Sequence, residues 1–172
     1  KNKILINKFL TYIRDERKFS HHTIRAYKTD LLDFNKYLVS IDSELQFGNI
    51  DRTFMQSFIK FVLKKGCNDK TLQRKVSSIK SFYQFLTQNN YIKANILELI
   101  PIPKASKKLP YLLSLKEISQ LMELPDLNTF DGIRDKSILE TFYSTGLRIS
   151  ELTRIKLSDI NLNNKLIKVL GK

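Results

Sequence analysis

The sequence predicts a mainly α-helical protein in two parts joined by a linker. Apolar residues recur every three to four positions through residues 1–100, and only five glycines and four prolines occur in 172 residues, which favours helices over strands. Three of the prolines fall within residues 101–110 together with three lysines, and neither a helix nor a packed strand tolerates that composition. We therefore expect a helical domain over residues 1–100, a linker over 101–113 and a second domain over 114–172.

Four helices are predicted in the first domain, each with an apolar face that carries aromatic residues. The first spans about residues 4–17, and Ser20 is expected to cap the second. Asp51 is expected to cap the third helix, and Asn68 or Asp69 the fourth. Because the aromatic residues follow one face of each helix, we interpret them as core residues rather than as platforms for nucleic-acid bases.

The second domain is predicted to begin with helices and to continue into a hairpin. Ser114 is expected to cap the first helix. Two further helices follow at about residues 130–144 and 148–155, with Gly146 between them. Residues 160–171 are expected to form a β-hairpin, with Asn163 and Asn164 at its turn and residues 166–170 as the return strand.

The charge of the chain favours a polyanionic partner. Thirty lysines and arginines against 17 aspartates and glutamates leave a net charge of +13, and the excess is larger in residues 1–100 than in the rest. The alternative is a lysine-rich composition that only keeps the protein soluble. A membrane-surface role fits less well, because the basic residues are spread over several helices whose apolar faces are needed for a core.

The single cysteine and the hydropathy pattern bear on location and on metal binding. Cys67 alone excludes an internal disulfide framework and a cysteine-based zinc site, which agrees with a reducing compartment. No apolar run is long enough to span a membrane, and the N-terminus has no signal-peptide pattern. We therefore expect a cytoplasmic, nucleoid-associated protein.

Two basic clusters lie on predicted helices opposite the apolar faces, and they are the candidate DNA contacts. At the start of the second helix a phosphate would also meet backbone N–H groups without partners. On the fourth helix, serines would let the helix approach DNA closely. The predicted contacts are His22, Arg25, Lys28, Lys70, Arg74, Lys75, Ser78 and Lys80, with Lys107 and Lys108 of the linker. The alternative is an ordinary solvated helix face.

The most specific motif is the run from Asp135 to Leu152, which contains Ser-Thr-Gly-Leu-Arg148-Ile-Ser-Glu151. This run resembles the first conserved box of the tyrosine recombinase family, which includes phage integrases and bacterial Xer chromosome-dimer resolvases. The resemblance extends over essentially the whole chain. It includes residues 23–31, 109–114, 156–160 and 169–172. It implies a SAM-like helical core-binding domain, a linker and the start of an α+β catalytic domain.

The resemblance also implies a chemistry and a set of roles. In the family a tyrosine attacks a DNA phosphodiester, giving a 3′-phosphotyrosyl bond without metal or cofactor. Arg148 would stabilise the negative charge of the phosphoryl transition state with its planar guanidinium. Glu151 would orient the active-site cations, although it is equally an ordinary partner for Arg148 or Arg154. Lys172 would protonate the 5′-oxygen leaving group.

The family's remaining catalytic residues, a His-x-x-Arg pair, a further His or Trp and the nucleophilic Tyr, are expected downstream of Lys172. His22-Thr-Ile-Arg25 matches the string but lies on a helix of the first domain, so we take it as a coincidence. Tyr143 is expected to be a core residue. We therefore expect the chain to be a fragment of a longer protein. The fragment alone is expected to bind DNA without cleaving it.

The resemblance implies partners as well. Family members bind a double-stranded DNA half-site as a clamp and act as homotetramers or paired heterotetramers. For an Xer-type member, a division-linked DNA translocase is a further expected partner. An Xer-type resolvase is favoured over a mobile-element integrase, because the chain begins directly with the clamp domain. Two other classes remain as alternatives: a non-catalytic DNA-binding clamp, and a basic helical protein that binds nucleic acid only through charge.

Overall fold

The computed structural model describes residues 1–98, 100–101 and 111–169, and the chain separates into two compact units, Lys1–Lys108 and Leu109–Lys172. The described residues form seven α-helices and one two-stranded sheet. The predicted mainly α-helical fold class is therefore confirmed. None of the described helices is both long and apolar enough to cross a membrane.

The first unit is a bundle of four helices. They are α1 (Asn2–Asp15), α2 (His21–Ile41), α3 (Arg52–Lys64) and α4 (Asp69–Gln88). Ser20, Asp51 and Asn68 each accept a hydrogen bond from the backbone N–H three residues later, which satisfies a donor that the first turn of a helix leaves open. The predicted caps are confirmed, and Asn68 rather than Asp69 caps α4.

Aromatic side chains from all four helices form the core of this unit. Phe9, Phe34, Phe58 and Phe82 are each no more than 1% exposed. The rings of Phe34 and Phe58 lie 4.9 Å apart at an angle of 72°, an edge-to-face arrangement that adds to the free energy of burial. The interpretation of these aromatic residues as core is confirmed.

Tyr83 combines complete burial with a polar contact. Its hydroxyl donates a 2.7 Å hydrogen bond to the carbonyl of Phe47, in the short turn between α2 and α3. Burial raises the pKa of Tyr83 well above its ordinary value, so the hydroxyl remains a donor. The bond ties α4 to the α2–α3 connection.

We expect Tyr83→Phe to lower the free energy of unfolding by about 1–2 kcal/mol, because the buried Phe47 carbonyl would lose its side-chain donor. Urea denaturation of the chain measures this loss. Tyr91→Phe is the control, since the Tyr91 hydroxyl is exposed and, among the described residues, accepts a hydrogen bond only from Lys8; its effect should stay within about 0.5 kcal/mol. Equal effects of the two substitutions would contradict the role given to Tyr83.

The second unit contains three helices and a hairpin. They are α5 (Leu115–Glu123), α6 (Phe130–Thr145), α7 (Ile149–Leu152), β1 (Ile160–Asn161) and β2 (Leu166–Ile167). Ser114 caps α5 as predicted, and Glu117 completes a reciprocal capping box with it. The third helix is shorter than predicted and ends at Leu152. The hairpin pairs Ile160 with Ile167, but each strand has only two residues within the described part.

The apolar side chains of the second unit remain accessible to solvent. None of its described hydrophobic residues is buried, and Tyr143 is 60% exposed. The expectation that Tyr143 is a core residue is therefore wrong for this chain. The physical reason is that, within the described part of this unit, α5, α6 and the hairpin place no second layer over their own apolar faces.

Candidate functional site

The basic residues predicted on α2 are available to a ligand. His22, Arg25 and Lys28 follow one another at intervals of three positions, and all three are exposed. Within the described residues their side chains make no hydrogen bond or ion pair. One backbone donor of the helix start is already occupied, since the Ser20 hydroxyl accepts from the N–H of Thr23 at 3.3 Å. An anion at this end of α2 would therefore be bound mainly by the side chains of His22, Arg25 and Lys28 and less by the backbone N–H groups of the first turn.

Two of the cations predicted on α4 are engaged by acidic residues of α2. The guanidinium of Arg74 pairs with Asp30, and Lys75 Nζ lies 3.2 Å from Asp30 Oδ1 and 2.7 Å from Asp33 Oδ2. The Asp30 side chain is fully buried, whereas the side chains of Lys75 and Arg74 are 11% and 40% exposed. The two positive and two negative charges offset one another.

The surroundings of Lys75 keep it charged. Burial alone would lower the pKa of Lys75, but its hydrogen bond to Asp33 and the charge of Asp30 outweigh burial, and the pKa is raised above the ordinary value. An ammonium enclosed in this way stabilises the junction of α2 and α4. In this conformation the Lys75 ammonium is engaged within the bundle, so the predicted contact of Lys75 with DNA would require it to leave Asp30 and Asp33.

Two further predicted contacts on α4 have structural partners. Ser78 is fully buried, and its hydroxyl lies 2.9 Å from the carbonyl of Lys75 and 3.3 Å from Asp30 Oδ2. Lys80 donates to the carbonyls of Glu98 and Ile100, at 3.0 and 2.7 Å. Ser78 thus cannot contact DNA in this conformation, and Lys80 fixes the chain segment that follows α4. Lys70, at the start of α4, remains exposed.

A polar groove runs along the other exposed part of α4. It has a volume of about 510 Å³, and Ser77, Ser81, Gln84 and Gln88 contribute hydroxyl and amide groups to it. Gln84 and Gln88 are not among the contacts predicted from the sequence. The signal was present, because these four residues follow one another at intervals of three or four positions, as on one face of a helix.

In the second unit the structure brings Arg148 and Glu151 together. Helix α6 ends at Thr145, and Gly146, which follows it, has a positive φ of 64°, a conformation that glycine adopts without strain. The chain then turns so that Arg148 precedes the first residue of α7. Glu151 Oε2 accepts from the backbone N–H of Arg148 at 2.8 Å, and Oε1 accepts from Arg148 Nη1 at 2.9 Å.

The Arg148–Glu151 pair orients a guanidinium toward solvent. The Arg148 side chain is 74% exposed, and that of Glu151 is 16% exposed. The backbone N–H and then the guanidinium of Arg148 hold the pKa of Glu151 below its ordinary value. Glu151 therefore stays ionised and holds one end of the guanidinium, while the remaining donors of Arg148 can bind an anion.

Three predicted site residues, Lys107, Lys108 and Lys172, lie outside the described residues. Within the described ranges, no group of three or more histidine, cysteine, aspartate or glutamate side chains is placed to hold a metal ion.

The comparison with protein families matches both parts of the chain. Residues 6–90 match the phage integrase N-terminal SAM-like domain, and residues 112–172 match the phage integrase family. The helical unit and the segment that contains Arg148 and Glu151 thus both match models of phage integrases. The chain belongs to the phage integrase family, the tyrosine recombinases, as its resemblance to that family predicted.

Curated relatives of the chain include tyrosine recombinases named XerD. The chain is 37% identical over 168 residues to XerD of Staphylococcus haemolyticus. It is 38% identical over 169 residues to XerD of Staphylococcus saprophyticus. Each alignment covers 98% of this chain and 57% of the relative, so the chain spans little more than half the length of these proteins.

A solved structure with a similar fold is the integrase of transposon Tn1549 in complex with circular intermediate DNA. The two share a TM-score of 0.70 and 17% sequence identity, over 96% of this chain and 53% of the integrase. At this identity the likeness supports the fold.

Proposed function

We propose that the whole protein is a site-specific recombinase that cleaves and rejoins DNA through a 3′-phosphotyrosyl intermediate. The observation that carries this proposal is the exposed Arg148 guanidinium, which Glu151 orients within the family's motif. Attack on a phosphodiester builds negative charge on the non-bridging oxygens, and a preorganised planar cation stabilises that charge. The phosphotyrosyl bond conserves the energy of the broken phosphodiester, so rejoining needs no energy-supplying cofactor. The cationic side chains are proposed to stabilise the charge that a metal ion stabilises in other phosphoryl transfers.

Within this chemistry we assign further roles to residues 114–172. Glu151 is a positioning residue, and Lys172 supplies the proton that the 5′-oxygen leaving group takes up. The nucleophilic tyrosine is proposed to lie in a part of the protein outside this sequence, so the chain alone should bind DNA without cleaving it.

Identity of 37–38% to proteins named XerD supports an Xer-type role in chromosome-dimer resolution. The proposed partners are a double-stranded DNA half-site, further recombinase protomers in a homotetramer or a paired heterotetramer, and a division-linked DNA translocase. A mobile-element integrase is the second candidate, favoured by the fold of the Tn1549 integrase. Recombination of a chromosomal site would support the first candidate, and excision or insertion of a mobile element would support the second.

DNA binding by residues 1–100 is proposed to depend on the predicted contacts that the fold leaves exposed. These are His22, Arg25 and Lys28 of α2 and Lys70 of α4. Residues 101–113 are proposed as the linker, and their lysines as further phosphate contacts. Each lysine or arginine that binds a phosphate releases condensed counterions, which makes the affinity fall with salt concentration.

We expect the double substitution Arg25→Ala and Lys28→Ala to weaken half-site binding and to flatten its salt dependence. If both residues bind phosphates, the slope of log K against log salt falls by about 0.9 for each. Fluorescence anisotropy at several salt concentrations measures the slope. Lys60→Ala with Lys64→Ala removes the same charge from exposed positions of α3 and is the matched control. Equal slopes for the two double variants would place the DNA elsewhere.

The proposed reaction is tested with the complete protein and a half-site that carries a nick beside the cleavage position. A covalent protein–DNA adduct that disappears when its attached tyrosine is replaced would support the recombinase. Binding without an adduct would leave a non-catalytic DNA-binding clamp. Binding with a steep salt slope and no sequence preference would leave a protein that recognises nucleic acid only by charge.

A further inference from the structure

Asp30 is a fully buried carboxylate at the junction of α2 and α4. A buried charge is costly unless it is paired and hydrogen-bonded. Here Arg74 and Lys75 both pair with it, and the Ser78 hydroxyl lies 3.3 Å from Oδ2. Asp30 therefore holds cationic side chains of α4 in place from inside the domain.

The contact with Asp30 uses only one part of the Arg74 guanidinium. Nη1 donates both to Asp30 and to the carbonyl of Ala26, the latter at 3.3 Å. Among the described residues, no partner accepts from Nε or Nη2 of Arg74. The Arg74 side chain is 40% exposed, and we call the Nε–Nη2 side of the guanidinium, which the contacts of Nη1 do not use, its open edge. Such an edge matches two oxygens of a phosphate.

The anchored guanidinium lies next to the candidate DNA contacts. Its backbone partner, Ala26, directly follows the exposed Arg25, and Lys70 is one helical turn before Arg74 on α4. The open edge of Arg74 is therefore located where the exposed basic residues of α2 and α4 approach each other.

We propose that Asp30 is a positioning residue for DNA binding, which fixes Arg74 so that Nε and Nη2 bind one DNA phosphate together. This inference rests on the proposed DNA-binding function. It predicts an effect whose sign is opposite to simple electrostatics. Removing an acidic side chain raises the net charge by one and would by itself strengthen binding to DNA, whereas loss of the anchor leaves Arg74 without a fixed direction and weakens it.

The test compares Asp30→Asn with Asp33→Asn in half-site binding at several salt concentrations. The two substitutions change the charge equally and lie one turn apart on α2, but only Asp30 contacts Arg74. Asp30→Asn is expected to lower the affinity about tenfold, the loss of one charge-assisted contact, and to reduce the salt slope by about 0.9. Asp33→Asn should leave the slope unchanged and bind at least as tightly as the unaltered chain.

Two further variants separate positioning from folding. In an Arg74→Ala background, Asp30→Asn should cause no additional loss of affinity, because its effect acts through Arg74. If Asp30→Asn does not fold, Asp30→Glu keeps the charge but moves the carboxylate by one methylene, and it should also reduce the affinity and the slope. The salt slope reports the number of phosphate contacts made by bound molecules, so a smaller folded fraction does not alter it.

The proposal is overturned if Asp30→Asn keeps the slope of Asp33→Asn, or if it weakens binding equally with and without Arg74. If Asp30→Glu has to replace Asp30→Asn, the proposal is overturned when Asp30→Glu binds the half-site with the same affinity and the same salt slope as the unaltered chain. Absence of any half-site binding by the unaltered chain would instead refute the proposed DNA-binding function, and this inference with it.

Discussion

Arg148→Ala is expected to reduce strand cleavage by the complete protein by about two to three orders of magnitude. The guanidinium is 74% exposed, and Glu151 holds it through Nη1. It is thus oriented before DNA binds, and a donor oriented in advance costs no reorganisation when charge develops on the phosphate. A nicked half-site substrate under single-turnover conditions measures the rate of adduct formation.

Half-site affinity should be nearly unchanged in Arg148→Ala, because the proposed role of Arg148 lies mainly in the transition state. Arg154→Ala is the matched control: Arg154 is exposed and lies shortly after α7, and its loss should leave cleavage close to normal. If Arg148→Ala lost affinity and rate to the same extent, the arginine would be a binding residue and the catalytic assignment would fail.

The orienting contact of Arg148 should persist in mildly acidic solution. The backbone N–H and guanidinium of Arg148 lower the pKa of Glu151 from 4.5. A carboxylate with a lowered pKa in the folded state stabilises the fold above the ordinary pKa, and this stabilisation is lost as the pH falls through the lowered value. The geometry of Arg148 is therefore independent of Glu151 protonation at any pH well above 4.5.

Local features of the fold could be predicted from the sequence because they depend on residues close to one another along the chain. A cap such as Ser20 or Ser114 acts on a backbone N–H three residues away. The break between α6 and α7 depends on the single residue Gly146. The Arg148–Glu151 contact also spans only three positions, so it too was accessible from the motif.

The availability of the α4 cations could not be predicted in the same way, because their partners are more than 40 residues distant in sequence. Lys75 and Asp33 are 42 positions apart, and Arg74 and Asp30 are 44 positions apart. A polar helix face therefore does not reveal whether solvent, DNA or another helix covers it. The sequence did contain one indication, because Asp30 lies on the same face of α2 as the apolar residues Leu31 and Phe34, which are buried. A buried carboxylate needs cationic partners to remain charged.

Lys75→Ala is accordingly expected to act on stability rather than on DNA binding. The substitution leaves Asp30 with Arg74 as its remaining cation and removes the ion-pair partner of Asp33. A buried charge left without any partner costs several kcal/mol; since Asp30 keeps Arg74, we expect the loss of the Lys75 contacts to lower the free energy of unfolding by about 2 kcal/mol. This is a large share of the stability of a small domain, and urea denaturation measures it.

The pH dependence and the salt slope distinguish this structural role from a phosphate contact. The pKa of Lys75 is raised above 10.5 in the folded chain, so its stabilisation is complete below that pH and is lost as the pH rises through the raised value. Lys28→Ala, which removes an exposed cation from α2, should change stability by no more than about 0.5 kcal/mol. It should nevertheless flatten the salt dependence of half-site binding, whereas Lys75→Ala should not. If Lys75→Ala instead flattened the salt dependence of half-site binding, the Lys75 ammonium would leave Asp30 and Asp33 when DNA is bound. This ion-pair cluster would then open to bind a phosphate.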